Sequence, residues 1–369
     1  MNILITGANG FIGKNLVAEL KNQGYENLLL VDRETSLDTL KEYTLKADYV
    51  FHLAGINRPK NEVEFKEGNV DFTEQLLSYL TLSERKAPIM ISSSKQATLD
   101  NPYGKSKSMG EQLILEYGEK ENVRTLIYRF PNVFGKWSRP NYNSAIATFC
   151  HNVSRNIEIT VNDPSVVMEL VYIDDVVTEL INGLSNKECR EGSFCIVPTT
   201  YKQTLGWIAD TIKSFKESRE TLVLPNVGDD LTKKLYSTYL SFLDESDFSY
   251  ELKMNVDNRG SFTEFLRTSN AGQTSINISK PGIVKGNHWH HTKNEKFLVV
   301  SGSGVIRFRK PEAKEVIEYF VSGEKLEVVD IPVGYTHNIE NLGSTDMVTV
   351  MWVNEPFNPE EPDTFFLEV

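Results

Sequence analysis

Cysteine is scarce: Cys150, Cys189 and Cys195 are three in 369 residues. Thiols this few and this irregularly spaced exclude a disulfide framework or a thiolate metal cage, and they point to a reducing, cytoplasmic setting. Long apolar runs are missing too. None approaches the roughly 18 residues that a membrane span needs, and the first strand-like residues carry no basic region or cleavage-like end, so a soluble protein that is neither exported nor membrane-inserted is expected. Positive charge is in deficit, with 39 Lys and Arg against 51 Asp and Glu, and it forms no cluster. That argues against nucleic acid as a partner and requires any anionic substrate to be met by local Lys or Arg. Internal repeats and low-complexity segments are also absent.

A chain of 369 residues exceeds one ordinary core, which favours two domains. Up to about residue 225, short apolar stretches ("NILITG", "NLLLVD", "YVFHLAG", "APIMISS", "RTLIYRF") alternate with helical patterns, as in a parallel sheet covered by helices. "DDLTKKLYSTYLSFLDESDF" reads as a closing amphipathic helix. Beyond Arg259 only short strands separated by Gly, Pro and Asn turns remain, which is the pattern of an all-β barrel or sandwich. The expected division is an α/β Rossmann domain over 1–250 and an all-β domain over 251–369.

"ITGANGFIG" sets Gly7, Gly10 and Gly13 between the first strand and first helix, where bare backbone lets a pyrophosphate lie on the helix N-terminus. Further on, "LLLVDRE" supplies Asp32, suited to a ribose hydroxyl, and Arg33, suited to a 2′-phosphate, so this pair leaves NAD and NADP both open. "SSSKQATLDNPYGKSK" carries Tyr103 and Lys107 one helical turn apart. An ammonium on the same helix face favours phenolate, the Ser94 hydroxyl can hold the substrate oxygen, and Tyr103 can exchange a proton as hydride moves. Ser93 stands as an alternative to Ser94. His52 reads as a structural or cofactor-lining residue rather than a base, and Asp174 and Asp175 as caps of the following helix. Arg129, Asn132, Lys136 and Arg139 are candidates for diphosphate or sugar contact, with solvated loop charge the equal alternative.

"TGANGFIG", "ADYVFHLAG", Ser94, "YGKSK", "RFPNVFG" and "VYIDDV" occur in an order that resembles the extended short-chain dehydrogenase/reductase family over residues 1 to about 245. The resemblance implies a Rossmann fold, a nicotinamide cofactor, a sugar-nucleotide substrate, and Ser94, Tyr103 and Lys107 as catalytic residues. It places Gly7, Asn9, Gly10, Phe11, Ile12, Gly13, Asp32, Arg33, Leu53, Ala54, Gly55 and Lys107 around the cofactor. Dehydratases of the family carry acidic residues directly after the serine or threonine. Lys95 and Gln96 stand there in this chain, which leaves reductase or C4 epimerase.

In "KPGIVKGNHWHHTKNEKF", His288 and His290 are two apart and share a strand face, Glu295 follows a turn, and "IPVGYTHNIEN" adds His337. Three imidazoles and a carboxylate suit Zn(II), with Mn, Fe(II) or Ni also possible. His291 falls on the opposite face as a bystander. Gly282, His288, His290, Glu295 and Gly302, then Pro332, Gly334, His337 and Asn341, are spaced as in the cupin superfamily, although Leu326 replaces the glycine that opens the second motif. No motif identifies an epimerisation base; Lys285 and Tyr335 merely adjoin the ligands.

Both domains in this order resemble the bifunctional capsular-polysaccharide reductases of the UDP-N-acetyl-L-fucosamine pathway. That resemblance implies C3 epimerisation of UDP-2-acetamido-2,6-dideoxy-β-L-arabino-4-hexulose by the cupin domain, NADPH reduction at C4, and a homodimer. The competing expectations are a monofunctional reductase or C4 epimerase with a structural or dimerising cupin, and, less favoured, a cupin oxygenase.

Overall fold

The computed structural model describes residues 1–356 and 358–369. The first strands are mainly apolar and largely buried. They are β1 (Ile3–Thr6), β2 (Leu28–Val31), β3 (Tyr49–His52), β4 (Ile89–Ser94) and β5 (Thr125–Phe130), separated by helices α1 (Phe11–Asn22), α2 (Leu37–Lys46), α3 (Val63–Lys66), α4 (Phe72–Thr81) and α5 (Pro102–Glu121). After them come β6 (Asn132–Phe134), α6 (Ala145–Ser154), β7 (Val167–Tyr172), α7 (Ile173–Asn182), β8 (Arg190–Glu191), β9 (Phe194–Cys195), β10 (Tyr201–Thr204), α8 (Leu205–Thr221) and α9 (Asp230–Leu240).

The main sheet runs β2-β1-β3-β4-β5-β9-β8, parallel apart from its last pair, and β10-β7-β6 form a smaller sheet. Side-chain alternation along β1 separates two cores. Ile3 and Ile5 pack with Leu16 and Leu20 of α1 and Val176 and Leu180 of α7. Leu4 packs on the other face with Leu76 and Leu80 of α4 and Ile114 of α5. A parallel strand covered on both faces reads as unbroken hydrophobic sequence for this reason.

The start of α5 positions the Tyr-x-x-x-Lys pair. Asn101 caps it by accepting from the Gly104 amide at 2.7 Å, and Pro102 occupies the first turn, where a missing N–H costs nothing. Tyr103 thus lies in the first turn of α5 and Lys107 one turn further in.

The expected closing helix is shorter than its pattern. It ends at Leu240, where the chain tightens to i→i−3 bonds, Phe242 to Tyr239 and Leu243 to Leu240. The Phe242 carbonyl accepts instead from Ser154 Oγ at 3.1 Å and Arg155 Nη1 at 2.7 Å. Tertiary hydrogen bonds have replaced the helical ladder there.

The chain divides into two compact units, residues 1–213 with 234–244, and 214–233 with 245–369. The second is all-β apart from its contributions to α8 and α9 and a 3-10 turn at Glu245–Asp247. Its strands are β11 (Met254–Asp257), β12 (Gly260–Arg267), β13 (Gln273–Ser279), β14 (Val284–Trp289), β15 (Glu295–Ser301), β16 (Ser303–Arg309), β17 (Ile317–Ser322), β18 (Val328–Ile331), β19 (Thr336–Asn341), β20 (Met347–Val353) and β21 (Phe365–Phe366). They form two antiparallel sheets, β11-β12-β13-β20-β15-β18 and β17-β16-β19-β14-β21, the sandwich expected of a cupin. Phe297 and Val299 from one sheet meet Ile306, Phe308 and Ile339 from the other. Residues 222–224 belong to this unit because Leu222 and Leu224 exchange backbone bonds of 2.7 and 2.8 Å with Arg267 at the end of β12. Among the described residues no helix is long and apolar enough to cross a membrane.

Phe51, fully buried in β3, tests the first core. Phe51→Ala is expected to cost about 3–5 kcal/mol, read as a lower denaturant midpoint for the unfolding of that unit.

Candidate active site and metal centre

The glycine turn is held by close backbone approach. Gly7 has φ 69°, and a Cβ there would lie 2.7 Å from the Ala54 amide nitrogen; a Cβ on Gly13 would lie 2.2 Å from the Gly7 carbonyl oxygen. Gly10 donates to Gly7 O at 2.9 Å and, as the residue before α1, offers no side-chain cap. The first amides of α1 therefore face a turn without side chains at its tightest points, which suits an anion. At the end of β2, the Asp32 carboxylate accepts from Asn9 Nδ2 at 2.5 Å and from the Glu34 amide at 2.9 Å. Arg33 is exposed beside it.

A buried polar chain fixes the loop after β3, which carries Leu53, Ala54 and Gly55. Thr73 Oγ1 donates to Asn69 O at 2.9 Å, so the 2.9 Å contact from His52 Nε2 to Thr73 Oγ1 is a donation by the ring. His52 Nδ1 then accepts from Thr6 Oγ1 at 2.8 Å, and Thr6 Oγ1 accepts from the Ala54 amide at 3.2 Å. Burial, and then the charge of Lys107, push the His52 pKa down to about 3. The ring is thus neutral, fully paired and structural. Asn69 completes the clamp by holding Ile56 through both its N–H and its C=O.

The two serines at the end of β4 differ. Ser93 is buried and donates to Glu111. Ser94 is half-buried at the head of a 3-10 turn, accepts from the Gln96 amide at 3.2 Å, and lies beside the Tyr103 phenol, where it lowers a pKa that burial raises more strongly. Lys107 is buried, with Nζ on the Ser92 carbonyl at 3.1 Å and 3.0 Å from where a Gly55 Cβ would stand. Burial lowers its pKa to about 8 against the opposing charge of Glu111. The ammonium is thus held at the end of β4 and lies close to Gly55 of the loop after β3.

The loop charges have other partners. Arg129 makes a forked pair with Glu111, including a 2.9 Å Nε–Oε1 bond, and stacks 3.9 Å from the Phe194 ring; it is structural. Asp174 and Asp175 do not cap α7, whose N-cap is Tyr172. They lie in its first turn, where Asp174 pairs with Lys136 and Asp175 with Lys234. Asn132 donates to Glu169 O at 3.0 Å, and Arg139 lies 5.0 Å from the Tyr142 ring.

In the second unit, His288, His290, Glu295 and His337 bring one donor atom each to within 4.8 Å of all the others. A shift of register between Gly286 and His288, with Asn287 at φ 62°, turns His288 to sit opposite His337. Glu295 opens β15, with Oε2 at 3.1 Å from His337 Nε2 and 3.7 Å from His290 Nε2. Those three atoms are buried without a well-formed hydrogen bond. Burial of the Glu295 carboxyl would raise its pKa, but the two imidazoles facing it hold it well below the ordinary range. Burial, followed by His337, pushes His288 down to about 4, so that imidazole is neutral at pH 7. Imidazole nitrogens and a carboxylate oxygen buried together without well-formed partners are what a cation would satisfy, and the cluster could hold a metal ion. His291 turns away, its ring 4.6 Å from Trp289 and 4.8 Å from Phe365.

Sequence reading missed Asp363. Its carbonyl lies 2.5 Å from His290 Nδ1, and its carboxylate accepts from the amides of His291, Thr292 and Lys293. A separation of 73 residues and no motif conceal it. Lys285 Nζ donates to Asn277 Oδ1 at 2.7 Å and Ile278 O at 2.9 Å, and burial lowers its pKa. Tyr335 packs against the sandwich core.

A Rossmann unit with this glycine turn, joined to a sandwich with this donor cluster, defines a nicotinamide-dependent enzyme that carries a second candidate centre. The chain belongs to the NAD dependent epimerase/dehydratase family, which it matches over residues 3–191, and residues 255–365 match the polysaccharide biosynthesis C-terminal domain. It is 44% identical over 369 residues, all of this chain and 99% of the relative, to a UDP-2-acetamido-2,6-beta-L-arabino-hexul-4-ose reductase of Pseudomonas aeruginosa. Among solved structures, the capsular polysaccharide assembling protein CapF of Staphylococcus aureus superposes with a TM-score of 0.96 at 58% identity over the whole of both chains. A Thermotoga maritima UDP-glucose 4-epimerase shares the fold over 66% of this chain, with a TM-score of 0.55 at 20% identity. Members of the family bind NAD(P).

Two outcomes check these sites. Gly13→Ala must move the turn and is expected to weaken nicotinamide cofactor binding at least about tenfold, measured by fluorescence titration. His337→Ala is expected to abolish stoichiometric metal, measured by elemental analysis of the purified protein.

Proposed function

We propose that this chain is a bifunctional sugar-nucleotide enzyme. Residues 251–369 epimerise C3 of UDP-2-acetamido-2,6-dideoxy-β-L-arabino-4-hexulose, and residues 1–250 reduce its C4 ketone with NADPH to UDP-2-acetamido-2,6-dideoxy-L-talose for capsular polysaccharide. The observation that carries this reading is end-to-end similarity to a hexulose reductase in a chain that also holds the cluster of His288, His290, Glu295 and His337. The enzyme acts in the cytoplasm as a homodimer.

For reduction, the glycine turn would hold NADPH, with Asp32 for the adenosine ribose and Arg33 for the 2′-phosphate, and the cofactor would supply the hydride for C4. Tyr103 donates its phenolic proton to the C4 oxygen. Ser94 donates a hydrogen bond to that oxygen, a role closed to Ser93 by its bond to Glu111. Lys107, with a pKa of about 8, is mainly protonated at neutral pH and stabilises the phenolate left behind.

For epimerisation, Zn(II) held by His288, His290, Glu295 and His337 would polarise the C4 carbonyl and acidify the neighbouring C3–H. A protein base removes that proton, and a protein acid returns one to the opposite face. Lys285 fits the base better than Tyr335, because burial favours its neutral amine.

The test is mass spectrometry of the UDP-linked 4-keto sugar incubated with the enzyme in D₂O. One deuterium gained without NADPH, followed by reduction consuming one equivalent of NADPH, is expected. Reduction without prior exchange would leave the second unit a structural or dimerising module, and neither change would end the sugar-nucleotide assignment.

A further inference from the structure

Three of the four clustered residues are placed by the sandwich itself: His288 and His337 face each other across paired strands, and Glu295 opens β15. His290 is different. It lies just beyond the end of β14 at Trp289, where its carbonyl accepts from the Gly334 amide at 3.1 Å but no strand pairing sets its side chain.

We propose that Asp363 is the positioning residue of this centre, selecting the tautomer and orientation of His290. The proposal rests on the metal-centre reading above. A backbone carbonyl only accepts, so the Asp363 carbonyl at 2.5 Å from His290 Nδ1 requires the proton on Nδ1. Nε2 then carries its lone pair and faces Glu295 Oε2 at 3.7 Å. Outer partners of this kind set ring orientation and ligand basicity at metal sites.

The carbonyl is itself held by the carboxylate of the same residue. Oδ1 accepts from the His291 amide at 2.9 Å. Oδ2 accepts from the Thr292 and Lys293 amides at 2.8 and 2.9 Å and from the Thr292 hydroxyl at 3.1 Å. Asp363 thus grips the turn that carries His290 from both ends. The segment that follows is stitched to the strands of the other two histidines. Phe365 and Phe366 pair with Trp289 and His288, Leu367 donates to Asn287 O at 3.0 Å, and Thr336, beside His337, donates to Leu367 O. Residues 363–367 tie together all three histidine-bearing segments.

The test uses the full chain with Asp363→Ala and Asp363→Asn. Co(II) serves as the probe, its affinity measured by chelator competition and its coordination by visible absorption. Alanine is expected to weaken Co(II) roughly 10–100-fold and to shift the absorption bands. Asparagine, which keeps one acceptor oxygen, is expected to fall between alanine and the parent. NADPH binding is expected to stay unchanged. If the alanine variant does not fold, the asparagine variant carries the comparison. Unchanged Co(II) affinity and spectrum overturn the proposal, and so does a lower melting temperature of the metal-free variants with affinity unchanged, which assigns Asp363 a purely structural role. A parent chain that takes up no Co(II) overturns the metal-centre reading along with it.

Discussion

A polar group taken out of water has to find a partner, and that requirement organises both halves of this chain. In the first unit it is met internally around the loop after β3. Thr6, His52, Thr73 and Asn69 pass hydrogen bonds from one to the next, and the chain they form sets the height of the loop holding Ala54 and Gly55 against the glycine turn. In the second unit it is left unmet among the clustered histidines and Glu295. His290 Nε2, His337 Nε2 and Glu295 Oε2 are buried and turned toward each other without partners. The satisfied network fixes the loop, and the unsatisfied one marks where a metal ion could be held.

The same logic sorts neighbouring residues of like type into different roles. Ser93 and Ser94 are adjacent, but strand alternation sends one into the Glu111–Arg129 cluster and leaves the other beside the Tyr103 phenol. His290 and His291 are adjacent, but one turns to Glu295 and the other lies edge-on against Trp289 and Phe365. Lys107 is displaced from its ordinary pKa by burial, and its anchoring carbonyl belongs to β4, so the geometry of the helix face is coupled to that of the sheet.

Much of this was legible in order and spacing. The glycine turn, the helical Tyr103–Lys107 pair and the four residues of the cluster are each defined by local geometry: a tight turn, one helical turn, one strand face and a hairpin-like return. The alternation of apolar runs with helical patterns, then of short strands with turns, marked the Rossmann and all-β units for the same reason. The less legible features depend on distant partners. Beyond the end of α9 at Leu240, the Phe242 carbonyl is taken by Ser154 and Arg155 from a distant segment. Residues 222–224 join the second unit through Arg267.

By itself, then, the sequence determined the two architectures, the nicotinamide turn and which side chains could gather as metal ligands, because those properties follow from periodicities of a few residues. Tertiary structure alone decided that Ser94 rather than Ser93 meets Tyr103, that Arg129 is consumed by Glu111, that Lys107 anchors on Ser92, and that Asp363 governs His290. Each of these is a choice among chemically equivalent partners, and only the packing of segments far apart in the chain sets which partner lies within hydrogen-bond distance.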